Sequence, residues 1–207
     1  RLALSSPSSL FTHAGGGHQL KINKQSAAET ASLLFQSDWT GCGELGLTGD
    51  NSLSLKVSDG STWRTGLSLD PSGRTFRPHQ PTARAYRTGT VFSPADGARS
   101  GFSDFSLVQG GFALGSAAPG GGNDLVVPAT GTYQICLNVS ATSSGGHTTR
   151  LRRNDTSDLL ALPGGAGFHS GTTLAALVAG DLLSLRHEGV AQLQLGSAGT
   201  ALCLSLL

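Results

Sequence analysis

Tryptophan and tyrosine are scarce in this chain, two of each, and three of the four have the chemistry of a sugar-binding platform. Sugar rings have apolar faces and polar edges, so carbohydrate sites on β scaffolds combine an aromatic ring with amide, carboxylate and arginine groups. The aromatic candidates are Trp39, Trp63 and Tyr86. A tryptophan in a small β domain is more often a core residue, and that interpretation stays open for Trp39 and Trp63.

A second set of candidate sugar ligands lies in the C-terminal half. Its members carry charged, amide or imidazole groups: Arg150, Arg152, Asn154, Asp155 and His169. Strand alternation predicts that Arg150 and Arg152 share a face, with Arg153 on the opposite face. If this segment binds a sugar, an anionic polysaccharide matches the guanidinium groups. A solvated face or a contact between subunits is the alternative interpretation.

Residues for catalysis are not assembled in a motif. A glycoside hydrolase needs two carboxylates in one cleft, whereas the acidic residues of this chain fall mostly in turn contexts, where Asp bonds its own backbone. These turn residues are Asp50, Asp59, Asp70, Asp96, Asp124 and Asp155. His187-Glu188 lacks the second histidine of a zinc-protease helix, and no G-x-S-x-G nucleophile turn is present. We expect no catalytic residue and no cofactor.

Cysteine and histidine do not have the spacing of a metal site. Cys42, Cys136 and Cys203 form no C-x-x-C pair, and we expect them to be free thiols, buried or half-buried. A homotrimer could build a three-ligand site from one axial histidine; the candidates are His13, His18, His147 and His169. We expect these four to be solvated loop residues and the chain to bind no metal.

Composition bounds the class of protein. Thirty of the 207 residues are glycine, 13% are charged and the net charge is +1. That charge gives no electrostatic reason to bind nucleic acid or an anionic membrane, and no apolar run approaches the ~18 residues of a membrane span. With no methionine and Arg1 at its start, the chain is expected to be part of a longer polypeptide. Glycine-rich, weakly charged composition favours short strands joined by tight turns.

The sequence of the N-terminal half predicts the end of a stalk followed by a small β-rich module. Residues 1–17 predict an extended linker, and residues 18–80 a module of short strands separated by turns. Within the module, alternation over 18–24 predicts a strand. The run from Gln25 to Phe35 predicts a helix, with Ser26 as its cap and Glu29 completing a capping box. A β unit this shallow is expected to gain most of its stability by packing against copies of itself.

The C-terminal half, residues 81–207, has a clearer strand pattern. Tyr133, Ile135, Leu137 and Val139 alternate with polar residues, which predicts a strand with one buried face. Leu202, Leu204 and Leu206 predict the same for the last strand. The number of such strands matches a jelly roll.

Two segments of this half resemble the complement C1q/tumour-necrosis-factor (TNF) family of jelly rolls. They read VPATGTYQICLNV over 127–139 and LAALVAGDLLSLRH over 174–187. The matching residues are Pro128, Gly131, Tyr133 and the turn Ala179-Gly180-Asp181, and Asp155 stands where the family's L-x-x-N-G hairpin has glycine. The resemblance covers about residues 90–207. It implies an all-β, homotrimeric protein: a small β-rich module followed by a C1q/TNF-like jelly-roll sandwich.

The segment from Leu10 to Trp63 is similar to fibre proteins of alphaproteobacterial prophages and gene transfer agents. The resemblance lies in His18-Gln19-Leu20, Asn23-Lys24, Leu34-Phe35-Gln36, Trp39, Gly49-Asp50 and Lys56-Val57-Ser58. It implies a receptor-binding tail fibre or head spike of a virion-like particle, assembled in the bacterial cytoplasm and acting outside the cell. The implied partners are bacterial capsular polysaccharide and other fibre, baseplate or capsid proteins. A purely structural trimerisation module and a capsule-degrading enzyme are the alternatives.

Overall fold

The computed structural model describes residues 4–207 as an all-β protein. The chain separates into two compact units between Phe76 and Arg77, whereas the sequence predicts the boundary after residue 80. Nowhere in residues 4–207 is there a helix that could cross a membrane.

The first unit contains a five-stranded antiparallel meander in the order β1-β2-β3-β4-β5. Its strands are β1 (Thr30–Ser37), β2 (Thr40–Thr48), β3 (Leu53–Ser58), β4 (Trp63–Leu69) and β5 (Thr75–Phe76). Gly49, Gly60 and Gly73 have φ angles of 88°, 95° and 84° in the turns, a backbone conformation that glycine adopts without strain.

Two local predictions for this unit are wrong. Residues 18–24 form no strand, and the predicted helix from Gln25 to Phe35 is a turn followed by β1. The Glu29 amide donates to the Ser26 carbonyl at 3.2 Å, so the residues of the expected capping box form a single turn. From Thr30 onward the chain pairs with β2, and this cross-strand pairing outweighs the weak helix propensity of the segment.

The second unit has eleven strands. They are β6 (Thr82–Tyr86), β7 (Val91–Phe92), β8 (Arg99–Ser100), β9 (Asp104–Gln109), β10 (Ala113–Ala117), β11 (Asn123–Val126), β12 (Gly131–Arg153), β13 (Ser157–Gly164), β14 (Gly167–Leu177), β15 (Leu182–Gln194) and β16 (Ala201–Leu206).

Strand β12 belongs to both layers of the second unit. Its residues 131–141 pair with β14 on one side and with β16 on the other. Strand β16 pairs in turn with β6, and β6 with β9. Residues 147–153 of β12 pair with β13 and β15, and β15 continues to β11 and β10. The register shifts between Ala141 and His147, where the strand passes from one layer to the other. The result is a two-layered jelly-roll sandwich.

The hydrophobic core lies within this sandwich. Tyr133, Ile135 and Leu137 are 0% exposed, which confirms the predicted buried face of β12. The Tyr133 hydroxyl donates to the Ala129 carbonyl at 2.8 Å, so the ring is buried without leaving its polar end unsatisfied. Leu202 and Leu204 of β16 are buried, as predicted, and Leu206 packs against the same core.

The three cysteines are free thiols. Cys136 and Cys203 are half-buried and directly opposite each other on β12 and β16. Burial raises the pKa of Cys203. Cys42 is exposed, so the expectation of a buried or half-buried side chain is wrong there.

Candidate functional site

The two tryptophans lie at one end of the sheet of the first unit. Trp39 occupies the two-residue turn between β1 and β2 with a φ of 63° and is 86% exposed. Trp63 begins β4, is 41% exposed and covers Gly41, where an added Cβ atom would lie 2.8 Å from the ring. Both indoles are accessible to a ligand, and neither belongs to the hydrophobic core.

The conformation of Trp39 is unusual for its type. A bulky residue in the left-handed region is strained, and glycine or asparagine is preferred at this position of a hairpin turn. The Gln36 side-chain amide donates to the Trp39 carbonyl at 3.0 Å and helps to hold the turn. The turn therefore displays a large aromatic ring at the cost of backbone strain.

Arg150 and Arg152 lie on the same outer face of the second unit, as alternation predicts. Arg150 Nη1 is 2.8 Å from Asp158 Oδ2, and its Nε is 2.9 Å from Glu188 Oε1. Arg152 donates to Asp158 at 2.9 Å and to Asp155 at 3.0 Å. Three residues that sequence reasoning missed, Asp158, Arg186 and Glu188, complete the cluster.

This cluster is electrically balanced. Three guanidinium groups face three carboxylates, and Arg186 approaches Asp155 at 4.0 Å. The field that a lone arginine pair would present to an anionic sugar is therefore largely cancelled by neighbouring negative charge. What remains is a dense array of hydrogen-bond donors and acceptors.

Two adjoining surface cavities form what we call the arginine groove. The first, about 460 Å³, is lined by Arg150, Arg152, Asp158, Arg186 and Glu188. The second, about 490 Å³, shares Arg186 and adds apolar walls from Phe92 and Pro119. Arg87 lies over the Phe92 ring at 4.2 Å, a cation–π contact that orients the ring. An aromatic surface thus adjoins polar, charged edges.

Asn154 has a structural role in this region. Its amide donates to Asp181 Oδ1, and its side-chain oxygen accepts from the Leu182 amide, both at 2.8 Å. Asn154 and Asp155 both have a φ of 53°, so the hairpin keeps its left-handed turn although Asp155 replaces glycine. The side chain of Asn154 ties two turns together and is not free for a ligand.

Tyr86 and His169 are not part of the arginine groove. Tyr86 lies on β6, in the other layer, and donates to Asp104 at 2.9 Å, a bond that raises the pKa of Tyr86. His169 lies against Gly164, and its Nε2 is 3.1 Å from the Gly165 carbonyl oxygen. Gly164 is six residues from Asp158 along β13, roughly 20 Å. The six predicted ligands of the second unit therefore occupy three separate places.

The acidic residues differ in their surroundings. Asp59 and Asp70 accept bonds from backbone amides of their own turns, as predicted. The Arg64 guanidinium lowers the pKa of Asp59, and the Ser72 hydroxyl lowers that of Asp70. Asp124 is not a turn residue: it lies in β11, is 2% exposed and pairs with Arg99 at 3.3 Å.

His147 is buried and not a solvated loop residue, which corrects the prediction. Its ring stacks on His187 with centroids 5.6 Å apart, and burial lowers the pKa of His147. His187 is 1% exposed, and a hydrogen bond of 2.7 Å joins its Nε2 to Ser100 Oγ. Within residues 4–207, no three His, Cys, Asp or Glu side chains are placed to hold a metal ion.

Comparison with known proteins shows the fold. No family model matches the chain, and no curated protein matches it. The Eiger TNF structure from S. frugiperda is 18% identical, covers 63% of this chain and 94% of its own, and has a TM-score of 0.50. Murine APRIL at pH 8.0 is 19% identical over 62% of this chain and 99% of its own, with a TM-score of 0.49. The chain contains a TNF-like jelly roll.

Proposed function

We propose that the chain is the receptor-binding part of a phage-like tail fibre or head spike, and that it binds capsular polysaccharide of the host as a homotrimer. The arginine groove is the observation that carries this proposal. Its guanidinium groups and carboxylates offer donors and acceptors to sugar hydroxyls, while Phe92 and Pro119 add apolar atoms to the wall of the groove. In this proposal the chain acts outside the cell on a virion-like particle, joined to other fibre, baseplate or capsid proteins.

The charge balance of the arginine groove narrows the class of polysaccharide that it is expected to bind. Because each carboxylate lies beside an arginine, selection by negative charge is weak and selection by hydroxyl geometry is strong. We therefore expect a hydroxyl-rich polysaccharide of low charge, and not the anionic polymer that the sequence predicts.

We also propose that binding occurs without hydrolysis. A glycoside hydrolase needs one carboxyl group to protonate the leaving oxygen and a second to act as base or nucleophile. In the groove, Asp158 and Glu188 accept hydrogen bonds from Arg150, and Asp155 and Asp158 accept them from Arg152. Each carboxylate keeps lone pairs that can accept from sugar hydroxyls, but none is left unpaired to act as the acid that protonates the leaving oxygen.

A pull-down on encapsulated alphaproteobacterial cells and capsule-less derivatives tests the proposal. We expect the full chain to bind the encapsulated cells only, with polysaccharide chain length unchanged after incubation. Arg186→Ala should weaken binding roughly tenfold, the value of one charge-assisted hydrogen bond. The matched control is Arg74→Ala, which removes an exposed arginine paired with Asp70 outside the groove.

The structural trimerisation module remains a second candidate, and the mutual pairing of the groove's charges favours it. A network whose charges satisfy one another can stabilise a sheet without any ligand. In that case neither kind of cell is bound. Shortened polysaccharide would instead establish the capsule-degrading enzyme.

A further inference from the structure

The sheet of the first unit has one face that is mostly apolar across β1 to β4. Strand register places aliphatic side chains of β1 to β4 in two adjacent rows, with two more apolar residues at one end. This apolar face consists of Ala31, Leu33, Phe35, Leu45, Leu47, Leu53, Leu55, Val57, Leu67 and Leu69. The opposite face carries Ser32, Glu44, Ser54 and Lys56, with Leu34 and Trp63 at one end.

The apolar face is uncovered in the single chain. Leu33, Leu55 and Phe35 are 44%, 44% and 57% exposed, and Val57 is 52% exposed. Of residues 4–76, none belongs to the hydrophobic core cluster, although Ala31 of the face is itself buried. A sheet with one hydrophobic face is stable only when that face packs against another layer, so this sheet lacks its second layer.

We infer that the missing layer is supplied by other copies of this chain, with three apolar faces packed around a common axis. The stoichiometry rests on the homotrimer of the proposed function. The second unit would hold three identical sheets in one assembly, and the resulting high effective concentration favours their association. The two adjacent rows carry no charge and no side-chain hydrogen-bonding group. Arg64 lies on this face opposite Val57, at one end, and its guanidinium is paired with Asp59 at 2.7 Å. The face therefore needs no chemically complementary partner.

The dimensions of the face fit this arrangement. Four strands about 4.8 Å apart, with six or seven residues rising about 3.3 Å each, present about 400 Å² per copy. That is the size of the largest apolar patch on a typical monomer, and such patches often mark an interaction site. Three such faces together remove about 1,200 Å² from water, or about 400 Å² for each pair of subunits. This is less than the ~1,200–2,000 Å² of a stable two-partner interface, so the faces associate because the second units of the proposed homotrimer hold them together.

Cysteine cross-linking of the full chain tests the inference. In a background with Cys42, Cys136 and Cys203 changed to serine, Val57→Cys places a thiol on the apolar face. Lys56→Cys, its neighbour in β3, places one on the polar face as the matched control. We expect a short bis-maleimide to link Val57→Cys subunits covalently, and maleimide labelling of Val57→Cys to be at least tenfold slower than that of Lys56→Cys. Leu55→Cys provides a second position on the same face.

Three results would overturn the inference. Equal labelling at positions 56 and 57 would mean that the face is open. Slow labelling in a chain that sediments as a monomer would mean that the second unit covers it. An oligomer without cross-links at positions 55 and 57 would place the interface elsewhere. None of these readouts involves polysaccharide, so the inference and the proposed function fail separately.

Discussion

Acid is expected to destabilise the second unit through His187. Burial, reinforced by His147 and Arg87, lowers the pKa of His187 from 6.5 to about 3. An imidazolium needs two hydrogen-bond acceptors, but Nδ1 of His187 has no partner within residues 4–207. Protonation inside the sandwich would therefore leave a buried charge unsatisfied.

The size and sign of the effect follow from linkage. Between pH 6.5 and about 3, the unfolded chain binds a proton at His187 that the folded chain does not bind. The contribution of His187 to the free energy of unfolding is therefore constant above about pH 6.5 and decreases by about 1.4 kcal/mol for each pH unit between there and about pH 3. From about pH 7.5 to pH 5 the loss is about 2 kcal/mol, a substantial part of the stability of a domain.

Urea unfolding at both pH values, followed by far-UV circular dichroism, measures this loss. Protein concentration and ionic strength are held constant, because association also changes apparent stability. His187→Gln should reduce the pH dependence by about 2 kcal/mol, whereas the matched control, His79→Gln at an exposed histidine, should leave it unchanged. A wild-type chain equally stable at both pH values, or a His187→Gln chain with the full pH dependence, would refute the reasoning.

Three further predictions concern single side chains. Trp39→Gly should raise the free energy of unfolding of the first unit by about 1 kcal/mol by relieving the left-handed strain; urea unfolding monitored by Trp63 fluorescence checks this, and a destabilised variant would contradict it. Asn154→Ala removes two bonds between turns and should cost about 2 kcal/mol, measured by calorimetry; an unchanged melting temperature would show that the bridge is unimportant. Asp158→Asn should leave Arg150 and Arg152 undercompensated, so the variant should elute from immobilised heparin at higher salt than the wild type. Identical elution would show that the wild-type charges are not balanced by Asp158.

The strands of the jelly roll could be predicted because side chains two residues apart point to the same face of a strand. Tyr133 and Leu137 were predicted to be buried from this period of two and from the polar residues between them. The helix prediction over 25–35 failed because Ser26 and Glu29 satisfy a local rule while β2 provides a stronger, distant partner. The prediction of a strand over 18–24 was wrong although the segment has a period of two, because no strand within the described residues pairs with it.

The candidate site was predicted only in part. Alternation placed Arg150 beside Arg152, since both lie on one strand. Asp158 and Glu188 were missed because they reach the arginines across β13 and β15, and cross-strand register is not visible in sequence. His147 was misplaced for a related reason, as the polar stretch around it reads as a loop although the fold makes it part of β12.

The pairing of β6 with β16 has a consequence for synthesis. Thr82 and Ser205 face each other although 123 positions separate them, and β12 must wait for β14, β15 and β16 before its own ladders close. The sandwich therefore cannot assemble stepwise as the chain leaves the ribosome, and its high contact order favours slow folding. Until β16 emerges, β6 and β12 present unpaired strand edges, which are templates for aggregation. Chains truncated before β16 should be captured by chaperones or lost to inclusion bodies.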